Sequence, residues 1–175
     1  TDDAASVDAE LAAAATAVVA ATGDSTDYER MLDQYRTGAT PQIQLRHLYL
    51  LTEFDDADLV DRTLALAMTD EVKTQNAPFV LRQAIGNLHH GRTAWEFVRR
   101  NWAEINDRFP RNTIVRIVET VKTLDRPDDV VQTTAFFAEH PIEQATKTLE
   151  QILERQGVNA DVRARNEELL RDTLG

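Results

Sequence analysis

Residues 72–109 read VKTQNAPFVLRQAIGNLHHGRTAWEFVRRNWAEINDRF, and this stretch decides the fold class because it holds two helical patterns in succession. Pro78 suits the first turn of a helix, where its missing N–H costs nothing. The next apolar residues recur at spacings of three and four, as on one helix face: Leu81, Ala84, Ile85 and Leu88. Residues 87–91 interrupt this pattern. A second helix is predicted from about residue 93 to 109, with a stripe of Trp95, Val98, Trp102, Ile105 and Phe109. The stretch therefore predicts a helix hairpin at the centre of the core, with both tryptophans buried.

Helix starts and stops can also be read along the rest of the chain. Caps or prolines are predicted to open helices at Ser6, at Thr26 with Glu29 as a capping box, at Thr40-Pro41, Asn112, Asp125-Pro127, Pro141 and Asn159. Glycines are predicted to end helices at Gly23, Gly38 and Gly157. No segment shows sustained period-two alternation, so no strands are predicted.

The predicted fold is all-α, with about ten helices that pair as antiparallel hairpins. Helix starts near Pro41, Pro78 and Asn112 recur at about 35 residues, which is the length range of two-helix repeats. The Trp, Leu-Gly and Tyr pattern of tetratricopeptide repeats is absent from the sequence. We therefore expect residues 1–175 to form a single domain, a right-handed curved array resembling HEAT or armadillo repeats.

A set of short motifs in the central stretch resembles the C-terminal helical domain of the aminopeptidase N family of zinc aminopeptidases. The residues that carry the resemblance are Lys73-Thr74-Gln75, Gly86-Asn87, Gly91, Ala94-Trp95-Glu96-Phe97-Val98, Asn101-Trp102 and Arg108-Phe109. Weaker similarity extends from about Tyr28 to Leu153 and includes the pair Phe136-Phe137.

The resemblance implies a non-catalytic domain of a larger aminopeptidase. In that family the domain is a curved array of helix hairpins that closes over the catalytic domain and helps to enclose a peptide chamber. Zinc, the H-E-x-x-H motif with a distant glutamate, and a glycine-rich motif for the substrate N-terminus belong to the catalytic domain, and this sequence contains none of these motifs. The implied partners are the catalytic domain of the parent enzyme and the peptide substrate. The alternative is a freestanding helical-repeat scaffold that binds another protein through its concave face.

Composition limits the classes of function. The formal net charge of −11 argues against nucleic acid and anionic membranes as partners. No apolar run approaches the roughly 20 residues that a membrane-spanning helix needs. The chain has no cysteine, which excludes disulfides and thiolate metal sites and fits a reducing compartment, so we expect a cytoplasmic location. Because residue 1 is a threonine, we also expect a fragment or a processed product.

No constellation in the sequence predicts catalysis or metal binding by this chain itself. The four histidines are His47, His89, His90 and His140. His89 and His90 are adjacent, so on regular backbone their side chains point apart and cannot chelate one ion well. No serine or threonine lies in a recognisable nucleophile motif. The acidic pairs lie at helix starts or on polar faces, which is where carboxylates usually face water.

Arginines gather around the central hairpin of an otherwise acidic chain: Arg82, Arg92, Arg99 and Arg100. One interpretation is a solvated face with local ion pairs, such as Glu96 with Arg100 at i, i+4. The other is a basic site that receives a peptide carboxylate, since guanidinium groups bind carboxylates bidentately. Arg82 and Arg99 are the candidate peptide contacts because each directly follows a core residue and so lies about 100° around its helix from the apolar stripe.

Overall fold

The computed structural model describes residues 9–174, with side chains described for residues 14–173. Within that range the chain forms ten α-helices and no strand. They are α1 (Ala9–Thr22), α2 (Ser25–Thr37), α3 (Pro41–Leu50), α4 (Ala57–Ala67), α5 (Ala77–Ile85), α6 (Gly91–Arg100), α7 (Trp102–Arg108), α8 (Arg111–Val118), α9 (Pro127–Glu139) and α10 (Thr146–Leu174). Short 3-10 helices at Glu119–Thr123 and Glu143–Ala145 follow α8 and precede α10. The all-α prediction is confirmed. The predicted Ser6 cap lies outside the described residues.

Caps explain where several helices begin. Thr40 Oγ1 accepts a hydrogen bond of 3.3 Å from the Ile43 N–H, and Pro41 is the first helical residue, as predicted. The capping box of α2 is Asp24 with Asp27, not Thr26 with Glu29. Asp24 Oδ1 accepts from the N–H groups of Thr26 and Asp27 at 2.7 and 3.2 Å. These bonds lower the pKa of Asp24, the one from Asp27 most strongly. The Asp24 carboxylate, two residues before the predicted cap Thr26, is therefore the side chain that caps the start of α2.

Three predicted boundaries near the central hairpin were wrong. α5 ends at Ile85, so Leu88 falls in the following turn and is 89% exposed. The second helix of the hairpin is divided at Asn101, whose φ and ψ of −101° and 15° separate α6 from α7. The side-chain N–H of Asn101 donates to the Phe97 carbonyl at 2.8 Å, which supplies a partner at the end of α6. α8 begins after Pro110 with no side-chain cap, so Asn112 does not cap it.

The C-terminal helix also differs from its prediction. α10 runs for 29 residues, from Thr146 to Leu174, and passes through Gly157 without a break. A glycine inside a helix costs only about 1 kcal/mol, which neighbouring contacts can offset. Gln156 donates to the Leu124 carbonyl at 2.9 Å, and Asn159 donates to the Lys122 carbonyl at 2.7 Å. Asn159 is therefore a tertiary contact and not a cap, and Pro141 precedes α10 by a 3-10 turn instead of opening it.

The helices pack in two layers. One layer contains α3, α5, α8 with Glu119–Thr123, and α10, each in contact with the next. The other contains α2, α4, α6 and α9, where α2 and α4 are joined by the Tyr28 and Thr63 hydroxyls at 2.9 Å. α6 meets α9 through Trp95, whose ring centroid lies 5.4 Å from that of Phe136 and 5.7 Å from that of Phe137. Consecutive helices connect the layers at α2–α3, α4–α5, α5–α6 and α9–α10. The right-handed curvature of the array stays a prediction.

One apolar core runs between the two layers, from Ala20 to Ile152. Trp95 and Trp102 are 3% and 8% exposed, so their predicted burial is confirmed. Both pack against Phe136 and Phe137, and most of these ring pairs meet edge to face. Among the described helices, none combines the length and the apolar character needed to cross a bilayer.

Candidate functional site

Arg82 lies on α5, at the edge of a groove of about 430 Å³. Its guanidinium Nη2 is 3.4 Å from Glu119 Oε2, and the same carboxylate accepts a bond of 2.7 Å from Arg116. The groove is also lined by Tyr49, Glu53 and Phe79. Desolvation there raises the pKa of the Glu53 carboxyl. The positive charge of Arg82 is thus partly balanced by one carboxylate, Glu119, which Arg116 also binds.

Arg99 lies on α6, in a separate cleft of about 410 Å³ between α6 and α9, which we call the α6–α9 cleft. The residues that line it are His89, Arg92, Thr93, Trp95, Glu96, Arg99, Arg126, Asp129 and Gln132. Arg99 Nη2 donates to the Gln132 side-chain carbonyl at 3.2 Å. The structure therefore does not bring Arg82 and Arg99 together, because they occupy different grooves in different helix layers.

An ion pair that the sequence analysis missed fixes one wall of the α6–α9 cleft. Arg92 Nε donates to Asp129 Oδ1 at 2.7 Å, and Asp129 Oδ2 accepts the backbone N–H of Arg126 at 3.3 Å. Asp129 is 5% exposed, so this is a buried carboxylate satisfied from two sides. The only sequence signal was the cluster Arg126-Pro127-Asp128-Asp129 at a helix start, which gives no indication of Arg92, 37 residues away. The predicted Glu96–Arg100 ion pair is absent from the described side chains, where Arg92 and Arg99 pair with α9 instead.

Asn87 links the turn between α5 and α6 to the loop between α3 and α4. Its side chain is 7% exposed and donates to the carbonyls of Thr52 and Phe54 at 2.8 and 3.1 Å. Its Oδ1 accepts the N–H groups of His89 and His90, both at 2.9 Å. Four hydrogen bonds from one amide join the α3–α4 loop to the α5–α6 turn, which explains why the motif has asparagine at this position.

The other motif residues have structural roles, with one exception. A Cβ on Gly91 would lie 2.3 Å from the Ile85 carbonyl oxygen, so the close approach of these backbones requires glycine. Trp95, Trp102 and Phe109 are buried in the core, and Asn101 divides α6 from α7. Gln75 is exposed and lines a groove with Tyr35, Arg36 and Glu71, and its role has no structural explanation.

His89 and His90 face the same carboxylate, which corrects the prediction that they point apart. Their Nε2 atoms lie 3.8 and 3.3 Å from the two oxygens of Asp55, because the α5–α6 turn is not regular helix backbone. Asp55 lies in the α3–α4 loop, the same loop that Asn87 binds. Across the described side chains of residues 14–173, no three His, Asp or Glu residues are placed to hold a metal ion together. His47 Nδ1 lies 2.8 Å from the Ile43 carbonyl, and His140 stacks on Phe136 at the end of α9.

The sequence matches a known family over most of its length. Residues 1–156 match the family model described as ERAP1-like C-terminal domain. The chain belongs to this family. Aminopeptidase M1-C of Oryza sativa subsp. japonica is 32% identical over 135 residues, which are 76% of this chain and 15% of that protein. The glutamyl aminopeptidase of Homo sapiens is 29% identical over 136 residues, 75% of this chain and 14% of its own length.

The chain thus spans about 15% of the length of the curated relatives it matches. The resemblance to the C-terminal domain of the aminopeptidase N family is confirmed, and the chain is an aminopeptidase-like C-terminal domain.

Proposed function

We propose that this domain forms a wall of the active-site chamber of a zinc aminopeptidase and so limits peptide access and contributes to peptide binding. The observation that carries the proposal is the family match over residues 1–156, on a two-layer helix array with two grooves that arginines line. The partner is the catalytic domain of the parent enzyme, and the zinc belongs to that domain. The isolated chain is then expected to hydrolyse no aminoacyl-anilide.

A chamber wall of this kind needs a stiff framework and exposed polar groups more than it needs catalytic side chains. The continuous core between the layers and the four bonds of Asn87 provide the stiffness. The two arginine grooves provide the groups that could meet the far end of a long peptide. The freestanding scaffold is the less supported function, because the relatives carry the matching segment within much longer aminopeptidases.

Arg82 and Arg99 remain the proposed peptide contacts. Because they lie in different helix layers, their substitution also tests which layer of the domain faces the chamber. Arg82 belongs to the layer of α3, α5 and α8, and Arg99 to the layer of α4, α6 and α9. Only the layer that faces the chamber can meet the peptide. The α6–α9 cleft is the better receptor for a carboxylate because Arg82 already pairs with Glu119 beside Glu53.

The test is the length dependence of peptide hydrolysis by the full-length parent enzyme carrying Arg82→Ala or Arg99→Ala. The variant on the chamber side should raise KM for long peptides by about tenfold or more, because a lost charge-assisted hydrogen bond is worth about 1.5–3 kcal/mol. Short aminoacyl substrates should be hydrolysed as before, since they do not reach this wall. Arg100→Ala is the matched control, an exposed arginine on α6 that lines neither groove.

Unchanged KM values for long peptides in both variants would refute the arginine assignment. The chamber role itself is tested by deletion of the whole domain. A folded parent enzyme that keeps its length dependence without the domain would contradict the proposed function.

A further inference from the structure

The groove beside Arg82, which we call the α3–α5 groove, contains a carboxylate that has no cation as its partner. Glu53 lines this groove, and its side chain is exposed, so a ligand can reach it from solvent. Within the described part of the chain, no basic side chain lies at ion-pair distance from Glu53. Partial loss of its water raises the pKa of the carboxyl, and no neighbouring charge offsets this effect. A cation placed here would favour the charged form of Glu53.

Arg82 lines the same groove but is not the partner of this carboxylate. Its guanidinium Nη2 is 3.4 Å from Glu119 Oε2, on the 3-10 helix that follows α8. Glu119 therefore holds the charge of Arg82 at its own position, and Glu53 stays without an ion pair. For a cation that enters from solvent, Arg82 is a repelling neighbour within the groove.

Two aromatic side chains supply the rest of a surface that suits a cation on an alkyl chain. Tyr49 on α3 and Phe79 on α5 line the α3–α5 groove, and both are half-buried, so part of each ring is accessible. Desolvation raises the pKa of the Tyr49 hydroxyl, which keeps that side chain neutral. Aromatic faces attract cations through the ring quadrupole, and they also pack against methylene groups.

We propose that the α3–α5 groove binds a basic side chain, lysine or arginine, of a protein segment that docks on this face of the domain. The cationic group pairs with Glu53, and the alkyl stem packs against Tyr49 and Phe79. Charge complementarity selects this partner, because the carboxylate lacks a cation and the chain has a formal net charge of −11. The site depends on the residues of the groove and does not require that this face line a chamber.

The experiment is a titration of the full 175-residue chain, labelled with ¹³C in its tyrosine rings, with N-acetyl-lysine-amide at constant ionic strength. The chain has three tyrosines, and two of them are internal controls because their hydroxyls bond outside the groove, Tyr28 with Thr63 and Tyr35 with the Glu71 carbonyl. Tyr49→Phe assigns the third set of signals. We expect a saturable shift of the Tyr49 ring signals and no comparable shift of the other two.

Variants locate the site. Glu53→Gln should weaken binding of N-acetyl-lysine-amide by about tenfold, because it removes the charge and keeps the shape. Glu104→Gln changes an exposed carboxylate on α7 that does not line the groove, so this matched control should leave binding unchanged. Phe79→Leu should weaken binding by about threefold, because the attraction between cation and ring is lost.

Arg82→Gln should tighten binding by about threefold, because it removes the repelling cation. This sign separates the site from the proposed function, in which loss of Arg82 weakens binding of long peptides. Glu53 and Arg82 both have accessible side chains, so their variants keep the test valid even if Phe79→Leu does not fold. Weaker binding by Arg82→Gln would contradict the proposal.

Further probes test the chemistry and the source of the cation. N-acetyl-norleucine-amide has the alkyl chain without the charge, so it should bind at least about tenfold more weakly, and equal binding would overturn the role of charge. Tighter binding of 1-aminopentane than of N-acetyl-lysine-amide and N-acetyl-arginine-amide would overturn the assignment to a protein side chain. Absence of a saturable Tyr49 shift, equal shifts of all three tyrosines, or unchanged affinity in Glu53→Gln would overturn the site.

Discussion

The central hairpin α5–α6 and the C-terminal half of α10 are both helical segments with apolar residues at helical spacing, yet only the hairpin is buried. Trp95 and Trp102 are 3% and 8% exposed, whereas Leu169 and Leu170 on α10 are 63% and 58% exposed. The hairpin has helices packed on both sides, with α4 before it and α8 after it. Along the end of α10 lies a groove of about 520 Å³, and no other helix of residues 9–174 covers its exposed leucines. An apolar stripe predicts a helix, but burial requires a facing layer.

The sharpest test of this difference is a pair of alanine substitutions. Trp95→Ala should lower the free energy of unfolding by about 3–5 kcal/mol, because it opens a cavity among the rings of Phe136 and Phe137. Leu169→Ala should change it by less than about 0.5 kcal/mol, because its side chain is already in water. Urea unfolding followed by circular dichroism measures both. Equal losses would mean that the end of α10 is buried in solution.

The second comparison uses two asparagines that each join distant segments. Asn87→Ala removes four hydrogen bonds and leaves the carbonyls of Thr52 and Phe54 without that donor, so we expect a loss of about 2–4 kcal/mol. Asn159→Ala on α10 removes one exposed bond to Lys122, with a loss of about 0.5–1 kcal/mol. The same urea titration gives both values. A loss below 1 kcal/mol for Asn87→Ala would show that water replaces its bonds.

The third comparison makes the same glycine-to-alanine substitution at two positions, where we expect the free energy of unfolding to change in opposite directions. Gly157→Ala in α10 should stabilise the chain by about 0.5–1 kcal/mol, since a Cβ there meets nothing within 4 Å. Gly91→Ala should destabilise it by about 1–3 kcal/mol, because the new Cβ collides with the Ile85 carbonyl. Melting temperatures should therefore rise for the first and fall for the second. A fall for both would show that α10 bends at Gly157 in solution.

The smallest expected effect is at a surface ion pair. Arg36 donates to both oxygens of Glu71, at 2.7 and 3.1 Å, and this bonding lowers the pKa of Glu71 below its ordinary value of 4.5. Because the folded-state pKa is the lower one, the pair stabilises the fold fully above pH 4.5 and loses this effect as the pH falls through the lowered pKa.

Glu71→Gln should cost a few tenths of a kcal/mol at pH 7, since both side chains are more than a third exposed. Its stability should approach that of the wild type as the pH falls below 4.5. Urea midpoints measured at pH 7 and pH 3.5 provide the test. A constant difference across that range would exclude the ion pair as its source. Glu167→Gln, which breaks the Arg163 pair on α10, is the matched control for a pair within one helix.

Much of the fold followed from local signals, and the errors share one cause. Thr40-Pro41 and Pro127 opened helices as predicted, because their effect depends only on the adjacent backbone. Gly157 and Asn159 were misinterpreted as a helix break because their local preference is overridden by bonds to residues 122–124. Leu88 fitted the stripe of α5 but lies past its end, since the Asn87 amide closes a turn there.

For the candidate site, the sequence predicted the type of residue, arginine, but not how these residues are distributed between two grooves. The sequence indicated arginines around the hairpin, and Arg82 and Arg99 were chosen by their angle around the helix. It could not separate them, because α5 and α6 belong to different layers. Nor could it reveal that Asp55 faces His89 and His90, or that Asp129 pairs with Arg92, because each of these partners is 34 or more residues away along the chain. The cytoplasmic location and the curvature of the array stay predictions.

The sequence by itself determined that the chain is all-helical, that residues 72–109 form the centre of its core, and that it belongs with the C-terminal domains of aminopeptidases. Those properties depend on spacing along the chain, which apolar periodicity, caps and short motifs record directly. Only the tertiary structure decided which apolar stripes are buried, which arginines pair with carboxylates, and that Arg82 and Arg99 lie in separate grooves. Those properties depend on which side chains from distant segments meet in space, and local spacing carries no record of that.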